Sequence, residues 1–124
     1  FAFSKFLIIK SSMTAVLILT SFPSEESARS LARHLITERL ASCVHVFPKG
    51  TSTYLWEGKL CESEEHHIQI KSIDIRFSEI CLAIQEFSGY EVPEVLLFPI
   101  ENGDPRYLNW LTILSYPEKP PLSD

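Results

Sequence analysis

Glycine is scarce: four residues in a chain of 124 leave little material for a phosphate-cradling loop, and neither a Gly-x-Ser-x-Gly elbow nor a His-Glu-x-x-His pattern occurs. Three cysteines, Cys43, Cys61 and Cys81, are too few and too widely spaced for a zinc ribbon or a Cys-x-x-Cys redox pair. Their odd number suits a reducing compartment. No apolar run approaches the ~20 residues of a spanning helix, so no membrane partner is expected. Positive charge is thin as well. Eleven Lys and Arg stand against sixteen Asp and Glu, a net charge of −5. Without a basic stripe to displace counterions from phosphates, nucleic acid is not an expected partner.

What is present is ordinary globular material. Apolar residues make up 45% of the chain and charged residues 22%, enough for one core and too balanced for disorder. Phe1–Ser12 is set apart as a disordered or non-native extension. It reads either as a processed targeting segment, though its apolar run Phe6–Ile9 is short for one, or as sequence upstream of a start at Met13. Residues 13–115 form the expected domain, and 116–124 a proline-rich tail.

Within the domain the elements alternate. Ala15–Leu19 is an apolar run of strand length, with both faces apolar. Ser24, followed by Glu25 and Glu26, opens an amphipathic helix carrying Ala28, Leu31, Leu35 and Leu40 on one face. Cys43–Phe47 and Thr51–Leu60 form an extended run, Glu62–Glu65 is expected as a charged turn, and His66–Lys71 returns as its partner, making a long hairpin. Asp74 is expected to cap a second helix through Phe87, stopped by Ser88-Gly89. Val95–Ile100 is the fourth strand, and Asp104-Pro105 starts a short terminal helix. The order β-α-β-β-α-β plus a helix predicts an α+β, ferredoxin-like split βαβ fold. Both main helices then cover one sheet face, while the first and fourth strands are apolar on both. The second face therefore predicts self-association, with the long hairpin as a pairing edge.

Specific blocks match a known family. Glu38-Arg39-Leu40-Ala41-Ser42-Cys43, Tyr54-x-Trp56-Glu57-Gly58-Lys59, Ile70-Lys71-Ser72, Tyr90-Glu91-Val92-Pro93-Glu94 and Tyr107-Leu108-x-Trp110-Leu111 together resemble the CutA divalent-ion tolerance proteins in order and spacing. The resemblance implies a ferredoxin-like homotrimer similar in architecture to PII signalling proteins, a cytoplasmic setting, and a non-catalytic role in divalent metal, notably copper, tolerance. Of the family's proposed copper ligands only Cys43 is matched; Leu19, Ala83 and Phe87 stand at the other positions.

Candidate metal ligands, for copper or another divalent cation, are thus Cys43, Cys61 and His67. Copper needs two to four convergent soft or imidazole donors, so Cys43 alone reads more simply as a small buried side chain. His66 and His67 are strand neighbours and point to opposite faces, so they cannot chelate one ion within one subunit; copies of His67 around a trimer axis could. Cys61 with Glu62 and His66 across the expected turn is a further surface possibility. Lys71 with Tyr54, Trp56 and Glu94 is expected to line a cleft between subunits, where a small anionic effector of the PII kind is the alternative ligand. The plainer reading makes Tyr54 and Trp56 trimer-interface anchors.

Overall fold

The computed structural model describes residues 13–117. Phe1–Ser12 and all of the tail beyond Pro117 lie outside the described residues. Strand β1 spans Ala15–Phe22, helix α1 Glu25–Thr37, β2 Cys43–Trp56, β3 Lys59–Ile73, α2 Phe77–Ser88, β4 Leu96–Pro99 and α3 Pro105–Ser115; a single 3₁₀ turn, Asp74–Arg76, leads into α2. The four strands form one antiparallel sheet in the order β2-β3-β1-β4. This is the expected ferredoxin-like α+β architecture, with α3 added.

Local chemistry sets most boundaries. Ser24 caps α1, its Oγ accepting from the Ser27 amide at 3.1 Å, while Glu25 and Glu26 sit in the turn where the helix dipole favours negative charge. Gly89 ends α2 at φ 75°, a left-handed conformation that glycine adopts without a Cβ penalty. Alternation along β1 sends Val16, Ile18 and Phe22 into a core with Ala28, Leu31 and Leu35 of α1, Ile68 and Ile70 of β3, and Ile80, Ala83 and Ile84 of α2.

Four expectations need correction. Leu40 is not on α1, which ends at Thr37; the chain turns at Arg39, φ 59°, and Leu40 joins the core from the following loop. Glu62–Glu65 is no turn; it lies within β3, and the chain reverses at Glu57-Gly58, whose φ angles of 51° and 78° are what a two-residue hairpin loop requires. Glutamate at the first of these positions hid the turn, and four polar residues in a row imitated one. Asp74 does not cap α2. Its carboxylate accepts from the Thr14 amide at 3.1 Å, fastening the start of β1, and the helix proper begins at Phe77. The fourth strand is shorter than Val95–Ile100: its ladder with β1 runs from Leu96 to Pro99, and Ile100 adds only a single amide bond to the Ala15 carbonyl at 2.9 Å.

The sheet's second face decides where a site can lie. It carries Ala15, Leu17, Leu19 and Ser21 of β1, the odd-numbered residues of β3 from Cys61 to Ile73, and Leu96 and Phe98 of β4. At one end α3 covers it, with Leu111 packed on Ala15 and Ile73. At the other end the chain between α2 and β4 comes down over Ser21, where Glu94 accepts from Ser21 Oγ at 3.3 Å. Between these covers lies an apolar window. Leu17 and Leu19 are half-buried, and Leu96 and Phe98 are 49% and 47% exposed.

Candidate functional site

Beyond the Phe22–His66 pair β3 has no β1 partner, so Lys59–Glu65 and the end of β2 continue as a two-stranded arm. Cross-strand register places Tyr54 opposite Cys61 and Trp56 opposite Lys59. Period-two alternation then aligns Tyr54, Trp56, Cys61 and Glu65 on one side of the arm. The segment after α2 faces that side. Between them runs a cleft of about 400 Å³ lined by Ser21, Tyr54, Trp56, Cys61, Glu65, Tyr90, Glu91, Val92 and Glu94.

Hydrogen bonds hold its two walls together. Tyr90 Oη donates to Glu65 Oε2 at 2.5 Å, joining the loop to the hairpin across 25 residues of sequence. Burial, reinforced by the Glu65 carboxylate as hydrogen-bond acceptor and neighbouring charge, pushes the Tyr90 phenol above its ordinary range. Tyr90 therefore keeps its proton at neutral pH and acts as a fixed donor. On the arm, Tyr54 Oη lies 3.2 Å from Ser63 Oγ.

Of the four residues expected to share a cleft, Tyr54, Trp56 and Glu94 meet here. Lys71 does not. It stands ten residues along β3 from Cys61, about 30 Å at the usual strand rise. Its Nζ donates to Tyr107 Oη at 3.3 Å and sits 5.5 Å from that ring's centroid, a cation–π contact with α3. The metal candidates are dispersed. Cys43 pairs opposite Lys71, Cys61 lies in the cleft opposite Tyr54, and His67 pairs opposite Ser21. His67 also lines a separate hollow of about 520 Å³ with Leu19, Phe47, Pro48, Gly50 and Gln69. Among the described residues no three His, Cys, Asp or Glu side chains converge as a metal site.

The proposed grouping of Cys61 with Glu62 and His66 is not formed. Without a turn between them, Cys61 belongs to the odd-numbered row of β3 and Glu62 and His66 to the even one. His66 Nδ1 instead lies 3.0 Å from the Phe47 carbonyl, at the irregularity between Val46 and Lys49. Glu65, Tyr90, Glu91 and Ser21 were missed as cleft residues. Counting in twos through a turn at Glu57-Gly58 would have put Glu65 in the row of Tyr54 and Trp56; nothing local announced Ser21.

A ferredoxin-like module with an elongated β2–β3 arm, an uncovered apolar sheet window and a cleft rich in carboxylates and aromatic rings is thereby defined. Its class is that of small α+β proteins built on one antiparallel sheet of the ferredoxin-like plan. Residues 16–113 match the family model described as the CutA1 divalent ion tolerance protein, and the chain belongs to that family.

Individual relatives agree. The divalent-cation tolerance protein CutA of Thermus thermophilus is 38% identical over 94 residues, 76% of this chain and 91% of the relative. Among solved structures, CutA1 from Oryza sativa superposes with a TM-score of 0.81 at 30% identity, covering 87% of this chain and 99% of that one. A periplasmic divalent cation tolerance protein CutA from Archaeoglobus fulgidus gives a TM-score of 0.78 at 29% identity, with coverages of 82% and 98%.

Proposed function

We propose that this chain acts in divalent metal tolerance, copper above all, as a non-catalytic homotrimer in the cytoplasm. One observation carries the assembly: the window of Leu17, Leu19, Leu96 and Phe98 between α3 and the loop after α2, which no element among the described residues covers. A closed ring of three copies buries such a face and leaves no open end. Family membership supports the tolerance role. The three cysteines, all unpaired, suit a reducing compartment, and no helix among the described residues is long and apolar enough to cross a membrane.

Direct copper handling in this reading requires donors from more than one copy, because Cys43, Cys61 and His67 are dispersed within one protomer. A threefold axis near the open face could gather three His67 side chains. An anionic effector is less suited to the cleft, whose titratable lining includes Glu65, Glu91 and Glu94, with Lys71 at the far end of the sheet.

Sedimentation at micromolar concentration tests the assembly: a trimer is expected, and a monomer refutes it. Copper(II) calorimetry beside His67→Ala, Cys43→Ser and Cys61→Ser tests direct binding. Saturable heat lost in His67→Ala places the metal at the axis. Heat no greater than that of ordinary surface histidines removes direct binding from the reading.

A further inference from the structure

Two asparagines occur in the chain, and the fold places them in opposite settings. Asn109 lies inside α3 and is followed by Trp110. Asn102 lies in the link between β4 and α3 and is followed by Gly103. Asparagine is a chemically labile residue: the amide nitrogen of the next residue can attack its side-chain carbonyl carbon. Two things hold that attack back, a side chain on the next residue and a backbone fixed by hydrogen bonds. At Asn109 both operate, because Trp110 is bulky and the peptide is held in the helix ladder. At Asn102 neither does. Residues 101–104 belong to no helix or strand, and all four are exposed. Among the described residues, neither the Asn102 side chain nor the Gly103 amide makes a hydrogen bond.

A change at this link reaches α3 directly. Gly103 sits so close to Leu108 that a Cβ added to it would lie 3.2 to 3.3 Å from that side chain. Leu108 in turn packs on the cluster of Ala15, Ile73 and Leu111 that seats α3 on the sheet. The following residue, Asp104, caps α3, accepting from the Arg106 amide at 2.8 Å and pairing with its guanidinium at 2.9 Å.

We propose that Asn102-Gly103 is a self-modification site, and that its conversion to isoaspartate unseats the start of α3. The only co-reactant is water. The Gly103 amide gives its proton to solvent and its nitrogen bonds to Asn102 Cγ; the side-chain nitrogen leaves as ammonia, closing a succinimide. Water then opens the ring at either carbonyl, with no oxidation or reduction. Opening at the side-chain carbonyl gives ordinary aspartate, a negative charge ahead of a helix N-terminus, where the dipole favours it. Opening at the main-chain carbonyl routes the chain through Cβ and Cγ, which is isoaspartate, and lengthens the backbone by one atom. With Gly103 already against Leu108, that added length displaces the contact and the Asp104 cap beside it. The site rests on the link after β4, beyond the window and the hairpin arm, and stands apart from the assembly and copper readings above.

The test ages the full chain, in the assembly it forms, in warm and mildly alkaline buffer beside the same chain unfolded in urea. Peptide mapping by mass spectrometry reads acid formation at each asparagine and separates aspartate from isoaspartate. The folded protein should convert at Asn102 within severalfold of the unfolded rate and remain intact at Asn109. Amide hydrogen exchange in α3 should then be faster in aged than in fresh protein. Asn102→Gln, whose extra methylene moves the carbonyl away from the attacking amide, should lose both changes. Asn102→Asp, studied fresh, carries the charge on a normal backbone and should leave α3 exchange unchanged; loosening equal to that of aged protein would refute the role of the lengthened chain. Asn102 intact in folded protein while the unfolded chain converts, equal conversion at Asn109 in folded protein, or conversion that leaves α3 exchange unaltered each overturns the proposal.

Discussion

Tyr90 and Glu65 are joined at 2.5 Å, phenol to carboxylate, and this contact ties the loop after α2 to the hairpin. Tyr90→Phe removes the donor and leaves the ring. We expect a loss of about 1 kcal/mol in chemical denaturation, a charge-assisted hydrogen bond discounted for partial exposure.

The same pair sets a pH dependence. The folded phenol holds its proton above the ordinary value of 10.0, chiefly because it is buried and then because of Glu65. Its contribution to stability is intact below pH 10.0 and is lost progressively above it, as the unfolded chain releases a proton that the folded chain retains. Denaturation midpoints between pH 9 and 11 should fall more steeply for the wild type than for Tyr90→Phe; parallel curves would count against the linkage.

Arg76 is buried and spends its guanidinium on three acceptors: the Ser115 carbonyl at 2.9 Å, the Tyr116 carbonyl at 3.5 Å and Glu79 Oε1 at 2.7 Å. It therefore closes the carbonyl end of α3 from the start of α2. Arg76→Ala strands those carbonyls and should cost about 3 kcal/mol. Arg76→Lys should recover only part, having no planar fork. Amide hydrogen exchange in α3 should accelerate first.

Phe98→Asp tests the sheet window without touching the helix-facing core. The side chain is nearly half exposed in the protomer, so the fold should survive, while a carboxylate there opposes burial against another copy. A trimeric wild type and a folded monomeric variant in sedimentation is the expected pair of results. An unchanged oligomer would move the interface elsewhere.

At the hairpin tip, a Cβ added to Gly58 meets nothing within 4 Å, yet φ is 78°. Gly58→Ala should therefore cost about 1 kcal/mol through backbone strain alone. Gly58→Val should cost somewhat more, and Glu57→Asn should be neutral or stabilising. Thermal denaturation of the three variants checks the order.

Where the determining chemistry is local, the sequence was legible. Ser24 before two glutamates, Asp104 before Pro105 and Gly89 after Ser88 each act within three residues, and each boundary stands where expected. The continuous apolar run of β1 announced two apolar faces, one of which lies in the core and the other in the sheet window. The cleft was half legible: Tyr54 and Trp56 share a strand face, and Glu94 belongs to the Tyr90–Glu94 block. Its remaining members depend on contacts distant in sequence. Ser21 meets Glu94 across 73 residues and Tyr90 meets Glu65 across 25, and neither leaves a periodic trace. Lys71 was misplaced for a related reason: its partner Tyr107 lies on the terminal helix, a segment no pattern along β3 could reveal.

The hairpin arm has one more consequence. From Lys59 to Glu65 each strand has only the other for company, and near the tip Leu55 and Leu60, paired opposite each other, are 71% and 73% exposed. A lone two-stranded ribbon is at best marginal in water. If neighbouring copies shelter it, its order becomes a matter of mass action: dilution should loosen the arm well before the core melts, and the melting temperature should climb with protein concentration.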